Sequence, residues 1–302
     1  MSLDPPLRQT QSFLSRRLEE VGIRPYGGLG QNFLVDWNLQ LLLVRTADLT
    51  GNDVVLEVGT GTGALTALLA QQAAAVVTVE VDPQLFRLAS EELERLPNVT
   101  MLQTDILKNK NRLNQAVLEA VAEKLAAAPG RQLKLAANLP FNVATPVVSN
   151  LLALDRPPAT MTVTIQREVA ERITAQPRTK DYGSLSLWIQ SQCRTELVRI
   201  LPPQVFWPRP KVSSAILHIV LDETLCRRIP DREFFHDFLR RIFLHRRKLL
   251  RSGLLSVSER LDKPAVDQIL GQLGFKADAR AEQLDVEQML ALCAAVQAVS
   301  GG

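Results

Sequence analysis

Residues 53–63 read DVVLEVGTGTG, an apolar strand-like run closed by glycines at every second position. Glycine at a strand-to-helix turn permits dihedrals, and a closeness of approach to a ligand, that a Cβ would block. Read as Gly59, Gly61 and Ala64, the stretch also fits the dinucleotide pattern G-x-G-x-x-[GA]. On these residues alone a nicotinamide site and a tight turn with no ligand both remain open.

Outward from this turn, Val- and Leu-rich runs alternate with segments of helical period from about residue 38 to 175. They are GALTALLAQQ, AVVTVEVD, QLFRLASEELERL, VTMLQTD, a helical stretch over 112–128, and LKLAAN. That alternation predicts an α/β fold of Rossmann-like type, a parallel sheet with helices on both faces and ligands beyond the carboxyl ends of its strands. VSSAILHIVL at 212–221 reads as another strand, preceded by the proline-rich LPPQVFWPRPK. After Asp222 helical spacing takes over in REFFHDFLRRIFLHRRKLLRSGLL, PAVDQILGQLG and VEQMLALCAAVQ. The reading is an N-terminal extension over 1–23 with a short helix in FLSRRLEEVGI, a main domain over 24–221, and a small all-helical domain over 222–302.

Composition narrows the class. With 302 residues, 46% of them hydrophobic and 22% charged, the chain has material for one or two packed domains and a soluble surface. The three cysteines, Cys193, Cys226 and Cys293, are odd in number and scattered, which argues for a reducing, cytoplasmic setting. They do not combine with His218, His236 and His245 at metal-ligand spacing, so no metal is expected. The opening MSLDPPLRQTQ is unlike a signal peptide, and GALTALLAQQAAAVVTVEV is interrupted by Gln71 and Gln72, so no membrane span is expected either. The formal charge is only +3, yet residues 227–251 hold nine Arg or Lys against three acids.

The strand ends carry the chemistry. Glu80 closes VVTVEVD at the distance expected of an acid that accepts from both ribose hydroxyls of an adenosine. Asp105, in LQTDIL, is placed to accept from an adenine amine, and Asn138 closes the fourth strand in NLPF. Four successive strand ends thus bear a glycine turn, Glu, Asp and Asn. No hydride-handling acid–base pair accompanies them, which counts against a dehydrogenase.

These features, with GQNFLVD at 30–36, QREVAERI at 166–173, DYGSLS at 181–186, VFWPRPKVSSA at 205–215 and FLHRRKLLRSGL at 243–254, resemble the S-adenosylmethionine-dependent RNA adenine N6-dimethyltransferases. The likeness is strongest to the branch acting on small-subunit ribosomal RNA and covers nearly the whole chain from Leu29. It implies a class I S-adenosylmethionine methyltransferase sheet. It implies that Asn32, backbone near Leu34, Gly59, Gly61, Glu80, Asp105 and Asn138 hold S-adenosylmethionine, and that Asn138, Leu139 and Phe141 form the target-base site. Phe206 is implied to cover the other face of the base, although its neighbour Trp207 could be the exposed ring instead, and Lys211, Arg246, Arg247, Lys248 and Arg251 are implied to contact RNA. Phe141 stands where many relatives have Tyr, and PYGG at 25–28 lacks the basic residues often found there.

Physical reasoning bears on two of these sets. Asn138 and the Leu139 carbonyl would draw an adenine amine toward tetrahedral geometry, with Pro140 stiffening the turn. Arg240, Arg241, Arg246, Arg247, Lys248 and Arg251 fall within about three turns of one helix, beside Leu239, Ile242, Phe243 and Leu249. That helix would show phosphates a basic face, or engage its cations in ion pairs with acids nearby. Arg167, Arg172, Arg178 and Lys180 offer further backbone contacts. The implied partner is 16S ribosomal RNA in the small subunit or its precursor, met by a monomer without a membrane. The implied activity is dimethylation of two adjacent adenosines near its 3′ end. Competing readings are a large-subunit 23S enzyme of the macrolide-resistance type and a non-catalytic assembly factor.

Overall fold

Runs of Val and Leu buried on both faces form the centre of the structure, a computed structural model that describes residues 9–20, 22, 30–246, 248–257 and 260–300. The strands are β1 (Phe33–Leu34), β2 (Asp53–Val58), β3 (Ala75–Glu80), β4 (Val99–Gln103), β5 (Leu107–Asn109), β6 (Arg112–Leu113), β7 (Gln132–Asn138), β8 (Thr160–Gln166), β9 (Cys193–Leu201), β10 (Phe206–Trp207) and β11 (Ser214–Leu221). Seven of them make one sheet in the order β4-β3-β2-β7-β8-β11-β9. Its members from β4 to β8 are parallel, and β11 returns antiparallel to β8. Every residue of β2 and β3 is buried, which is why these strands read as continuous apolar runs. The α/β, Rossmann-like expectation is met, with β11 antiparallel.

The helices are α1 (Gln11–Glu20), α2 (Trp37–Ala47), α3 (Ala64–Ala70), α4 (Pro83–Leu93), α5 (Gln115–Ala126), α6 (Ala144–Leu152), α7 (Arg167–Thr174), α8 (Ser184–Gln190), α9 (Glu223–Cys226), α10 (Arg232–Ile242), α11 (Leu250–Leu254), α12 (Lys263–Gln272) and α13 (Val286–Ser300). Their starts follow from local chemistry. Asp36 caps α2 by accepting from Leu39 N, and Asp82 caps α4 by accepting from Gln84 N and Leu85 N ahead of Pro83.

The chain separates into two compact units, Met1–Ala170 with Glu196–Val220, and Glu171–Thr195 with Leu221–Gly302. The second unit includes 171–195, which the sequence reading had assigned to the main domain. The reason is where α8 buries its apolar residues. Trp188 of α8 stacks on His236 of α10 with centroids 4.3 Å apart, and the Tyr182 hydroxyl donates to Leu284 O at 2.9 Å. No helix among the described residues is long and apolar enough to cross a membrane.

In the first unit an ion pair lies inside the sheet. Lys134 Nζ of β7 lies 3.0 Å from Asp53 Oδ2 of β2 and donates to Asp48 O at 2.6 Å, with only 10% and 4% of the two side chains exposed. Removing one partner leaves a buried charge uncompensated. Lys134→Ala is expected to destabilise the fold by about 3 kcal/mol, read as a lower urea midpoint at unchanged slope.

Candidate active site

The sheet reverses its winding between β2 and β7. From β2 the chain steps outward through β3 and β4, then returns to β7 on the opposite side, so a crevice opens at the carboxyl ends of β2 and β7. The glycine turn fills one wall of it. Gly59 N and Thr60 N donate to Val79 O at 2.9 and 3.2 Å. Gly59 has φ +85°, and a Cβ there would lie 3.2 Å from Pro140 Cγ. Gly61 has φ +58°, and its Cβ would lie 3.1 Å from the Phe33 ring. Both glycines are favoured by their dihedrals, and in each a Cβ would crowd the neighbouring ring.

A cavity at this rim is lined by Gly59, Gly61, Glu80, Asp105, Asn32 and Asn138, among others. Glu80 is 5% exposed; its Oε2 accepts from Gly61 N at 2.9 Å and its Oε1 from Asp82 N at 3.0 Å. Burial pushes its carboxyl above the usual range, opposed by those two bonds. A carboxylate has about four acceptor sites, so lone pairs remain for a diol. Asp105 lies two residues beyond the end of β4 and is exposed, with Oδ1 accepting from Leu107 N at 2.8 Å. Its other oxygen takes no part in that bond. Buried Ile106 adds an apolar wall that the sequence reading missed.

Asn138 closes β7 and donates from Nδ2 to Asn32 O at 2.8 Å. A carbonyl only accepts, so this bond fixes which way the amide is turned. Oδ1 is then the free end, and it is buried without a hydrogen-bond partner among the described residues. Asn32 therefore meets the site through its carbonyl, its own side chain turning back to Gly30 O at 3.1 Å. Leu139 is 1% exposed and donates its N–H to Thr164 O at 3.1 Å. Phe141 follows on the same turn, half-buried and outside the cavity lining.

Two implied positions are placed elsewhere. Leu34 does not line this cavity; its carbonyl accepts from Gln40 Nε2 at 2.5 Å and it pairs with Phe206 across β1 and β10. Phe206 is 2% exposed within the apolar core, so it is a packing residue and not a cover for a base. Alternation along β10 turns Phe206 inward and leaves its neighbour Trp207 half-buried, stacked on Phe33 at 6.3 Å.

The family model described as "Ribosomal RNA adenine dimethylase" matches residues 27–297. The chain belongs to the ribosomal RNA adenine dimethylase family. A relative named "Ribosomal RNA small subunit methyltransferase A" from Listeria monocytogenes is 38% identical over 91% of this chain and 92% of its own. One of the same name from Lachnoclostridium phytofermentans is 36% identical over 87% and 88%. A dimethyladenosine transferase from Plasmodium falciparum superposes with TM-score 0.68 at 21% identity, over 85% of this chain and 94% of that one. The 23S rRNA methyltransferase ErmE superposes with TM-score 0.59 at 24% identity, over 88% and 99%. These two structures share the fold.

As a member of this family the chain is a methyltransferase that uses S-adenosylmethionine, and the crevice fits that cofactor. Gly59 and Gly61 leave room for close approach, and the Glu80 and Asp105 carboxylates at the rim each have acceptor sites beyond the bonds they already make. Among the described residues no group of three or more His, Cys, Asp or Glu could hold a metal ion.

The dimethylase's basic segment is not one helix. α10 ends at Ile242, a 3-10 turn spans Phe243–His245, and α11 starts at Leu250, whose N–H donates to Ala279 O at 2.7 Å. Arg246 donates to Glu282 Oε2 (2.7 Å), Lys180 O (2.5 Å) and Thr179 O (2.9 Å). Arg251 forms a bidentate pair with Asp267 at 2.5 and 2.7 Å, and Arg241 pairs with Asp237 at 2.7 Å. The ion-pair alternative therefore holds at these three. Arg247 lies outside the described residues. Lys211, Arg240 and Lys248 are exposed and make no ion pair among the described residues. Arg178, Lys180, Leu244, Lys248 and Arg280 line an open groove in the second unit with Arg246 and Glu282.

Behind the glycine turn lies a second, smaller cavity bordered by Gln40, Glu57, Thr60, Thr62 and Asn138. Glu57 is wholly buried, and its Oε2 accepts from the Thr66 and Thr78 hydroxyls at 2.6 and 2.7 Å. Burial pushes its carboxyl up to about 8, against those two bonds. Its Oε1, like Gln40 Oε1 and Asn138 Oδ1, is buried without a hydrogen-bond partner among the described residues. A raised carboxyl pKa means stability fully present below about 4.5 and lost as pH rises through about 8. Glu57→Gln, whose amide keeps both an acceptor and a donor, is expected to fold and to flatten this decline, measured as denaturation midpoints from pH 5 to 9.

Proposed function

We propose that this protein dimethylates N6 of two adjacent adenosines near the 3′ end of 16S ribosomal RNA in the small subunit, as a step of ribosome biogenesis. The observation that carries the reaction is Asn138 Oδ1, an oriented buried acceptor at the switch point beside the glycine turn. The names of relatives at 36–38% identity across most of the chain support the small-subunit substrate. ErmE shares the fold at 24% identity, which does not extend its substrate to this chain.

The N6 lone pair of adenine is delocalised into the ring, so the amine is a weak nucleophile while planar. Asn138 Oδ1 and the Leu139 carbonyl would accept its two hydrogens and draw the nitrogen toward tetrahedral geometry. Gly59 packs against Pro140 and so holds the turn that aims these acceptors. When bound, S-adenosylmethionine supplies a methyl group on a cationic sulfur, so no strong base is required before transfer. Alignment accounts for much of the acceleration, with roughly 7–11 kcal/mol accessible to well-oriented reactants. Phe141 would stack on the extruded adenine, a contact worth roughly 1–3 kcal/mol. Lys248 and the groove around Arg178 and Arg280 would take backbone phosphates.

The test is transfer of labelled methyl to unmethylated small subunits, followed by nucleoside analysis. Dimethyladenosine in 16S RNA is the expected product; methylation confined to 23S RNA, or none, overturns the proposal. Asn138→Ala should lower kcat about a hundredfold, the scale of removing one preorganised hydrogen-bonding group, with subunit affinity retained. Glu80→Ala should instead weaken S-adenosylmethionine binding by about tenfold or more, read by calorimetry.

A further inference from the structure

The N-terminal segment, for which the sequence suggested no role beyond a helix, is built into the back of the glycine turn. Gln9 precedes α1 and is 7% exposed. Its amide meets Thr62 at both ends: Nε2 donates to Thr62 O at 3.2 Å, and Oε1 accepts from the Thr62 hydroxyl. Thr62 sits between Gly61, whose N–H holds the Glu80 carboxylate, and Gly63, which starts α3. One buried side chain is therefore one residue away from the bond that orients the ribose acid.

α1 anchors this arrangement. Leu14 and Leu18 are 2% and 1% exposed and pack in one cluster with Phe33, Leu85 and Leu88, Phe33 being the ring that Gly61 approaches. Leu14 and Gln9 also border the small polar cavity behind the turn. Arg17 reaches Glu91 on α4 at 3.4 Å, an exposed contact of little energetic weight. Apolar packing thus holds α1 in place, and Gln9 transmits that placement to the turn through paired hydrogen bonds.

We propose that Gln9 is a positioning residue for the Gly59–Gly63 turn, and that residues 9–20 act as a clasp that sets affinity for S-adenosylmethionine rather than for RNA. This rests on the reading that the turn holds the cofactor. The turn is rich in glycine and has many backbone states when free; locking Thr62 at both polar groups removes some of them before the cofactor arrives, which is preorganisation.

The experiment measures binding of S-adenosylhomocysteine by calorimetry, together with methyl-transfer kinetics, in full-length protein. Gln9→Ala is expected to raise the Kd and the cofactor KM about fivefold, leaving kcat at saturating cofactor and affinity for unmethylated small subunits unchanged. Leu14 and Leu18 remain in this variant, so α1 keeps its packing. Thr62→Val should reproduce the rise, and the double variant should add nothing to it. An unchanged Kd in Gln9→Ala, or additive effects in the double variant, overturns the clasp. Failure of the unmodified protein to bind S-adenosylhomocysteine would instead overturn the assignment of the turn.

Discussion

Two backbone turns cross at van der Waals distance where β2 and β7 end, and the rest of the site depends on that crossing. A Cβ on Gly59 would lie 3.2 Å from Pro140 Cγ, tighter than ordinary packing, and the Gly59 φ of +85° disfavours any other residue there. The approach brings together the glycine turn and the turn that bears Asn138 and Leu139, both of which line the crevice. Parallel pairing of β2 with β7 and with β3 then sets the remaining groups along one rim, Glu80 on one side and Asn138 on the other. A larger residue at position 59 would press on Pro140 and so on the turn that bears Asn138 and Leu139.

The parts of this arrangement that follow from strand ends are legible in the sequence. A buried parallel strand is a continuous apolar run, its end is marked by the first polar or glycine residue, and ligands gather there. Glu80 and Asn138 are found that way, and Asp105 nearly so, being two residues further on. Phe206 is not found, because a two-residue strand has too little period to say which ring turns inward. The basic segment misleads for another reason. The acids that engage Arg246 and Arg251 stand 36 and 16 residues away in sequence, beyond any local count of charge.

Long-range polar pairing also hides Gln9, since its partner Thr62 lies 53 residues on. A polar residue in an N-terminal extension reads as solvated surface unless the packing of α1 is known. Residues 171–195 pose the same difficulty on a larger scale. Their helices are interleaved with strands in sequence, yet their apolar residues bury among the helices of the second unit, which only tertiary contact reveals.

The electrostatics of the rim explain why position 138 carries an amide. Glu80 lines the crevice and Glu57 the smaller cavity behind the glycine turn, both with carboxyls raised by burial. A carboxylate at 138 would add charge to a rim that the buried Glu80 already lines, and its oxygen would face Asn32 O with no hydrogen to share. Asparagine avoids both penalties. Its nitrogen is held by the Asn32 carbonyl, its oxygen is left to accept, and the group stays neutral at every pH where the protein is folded.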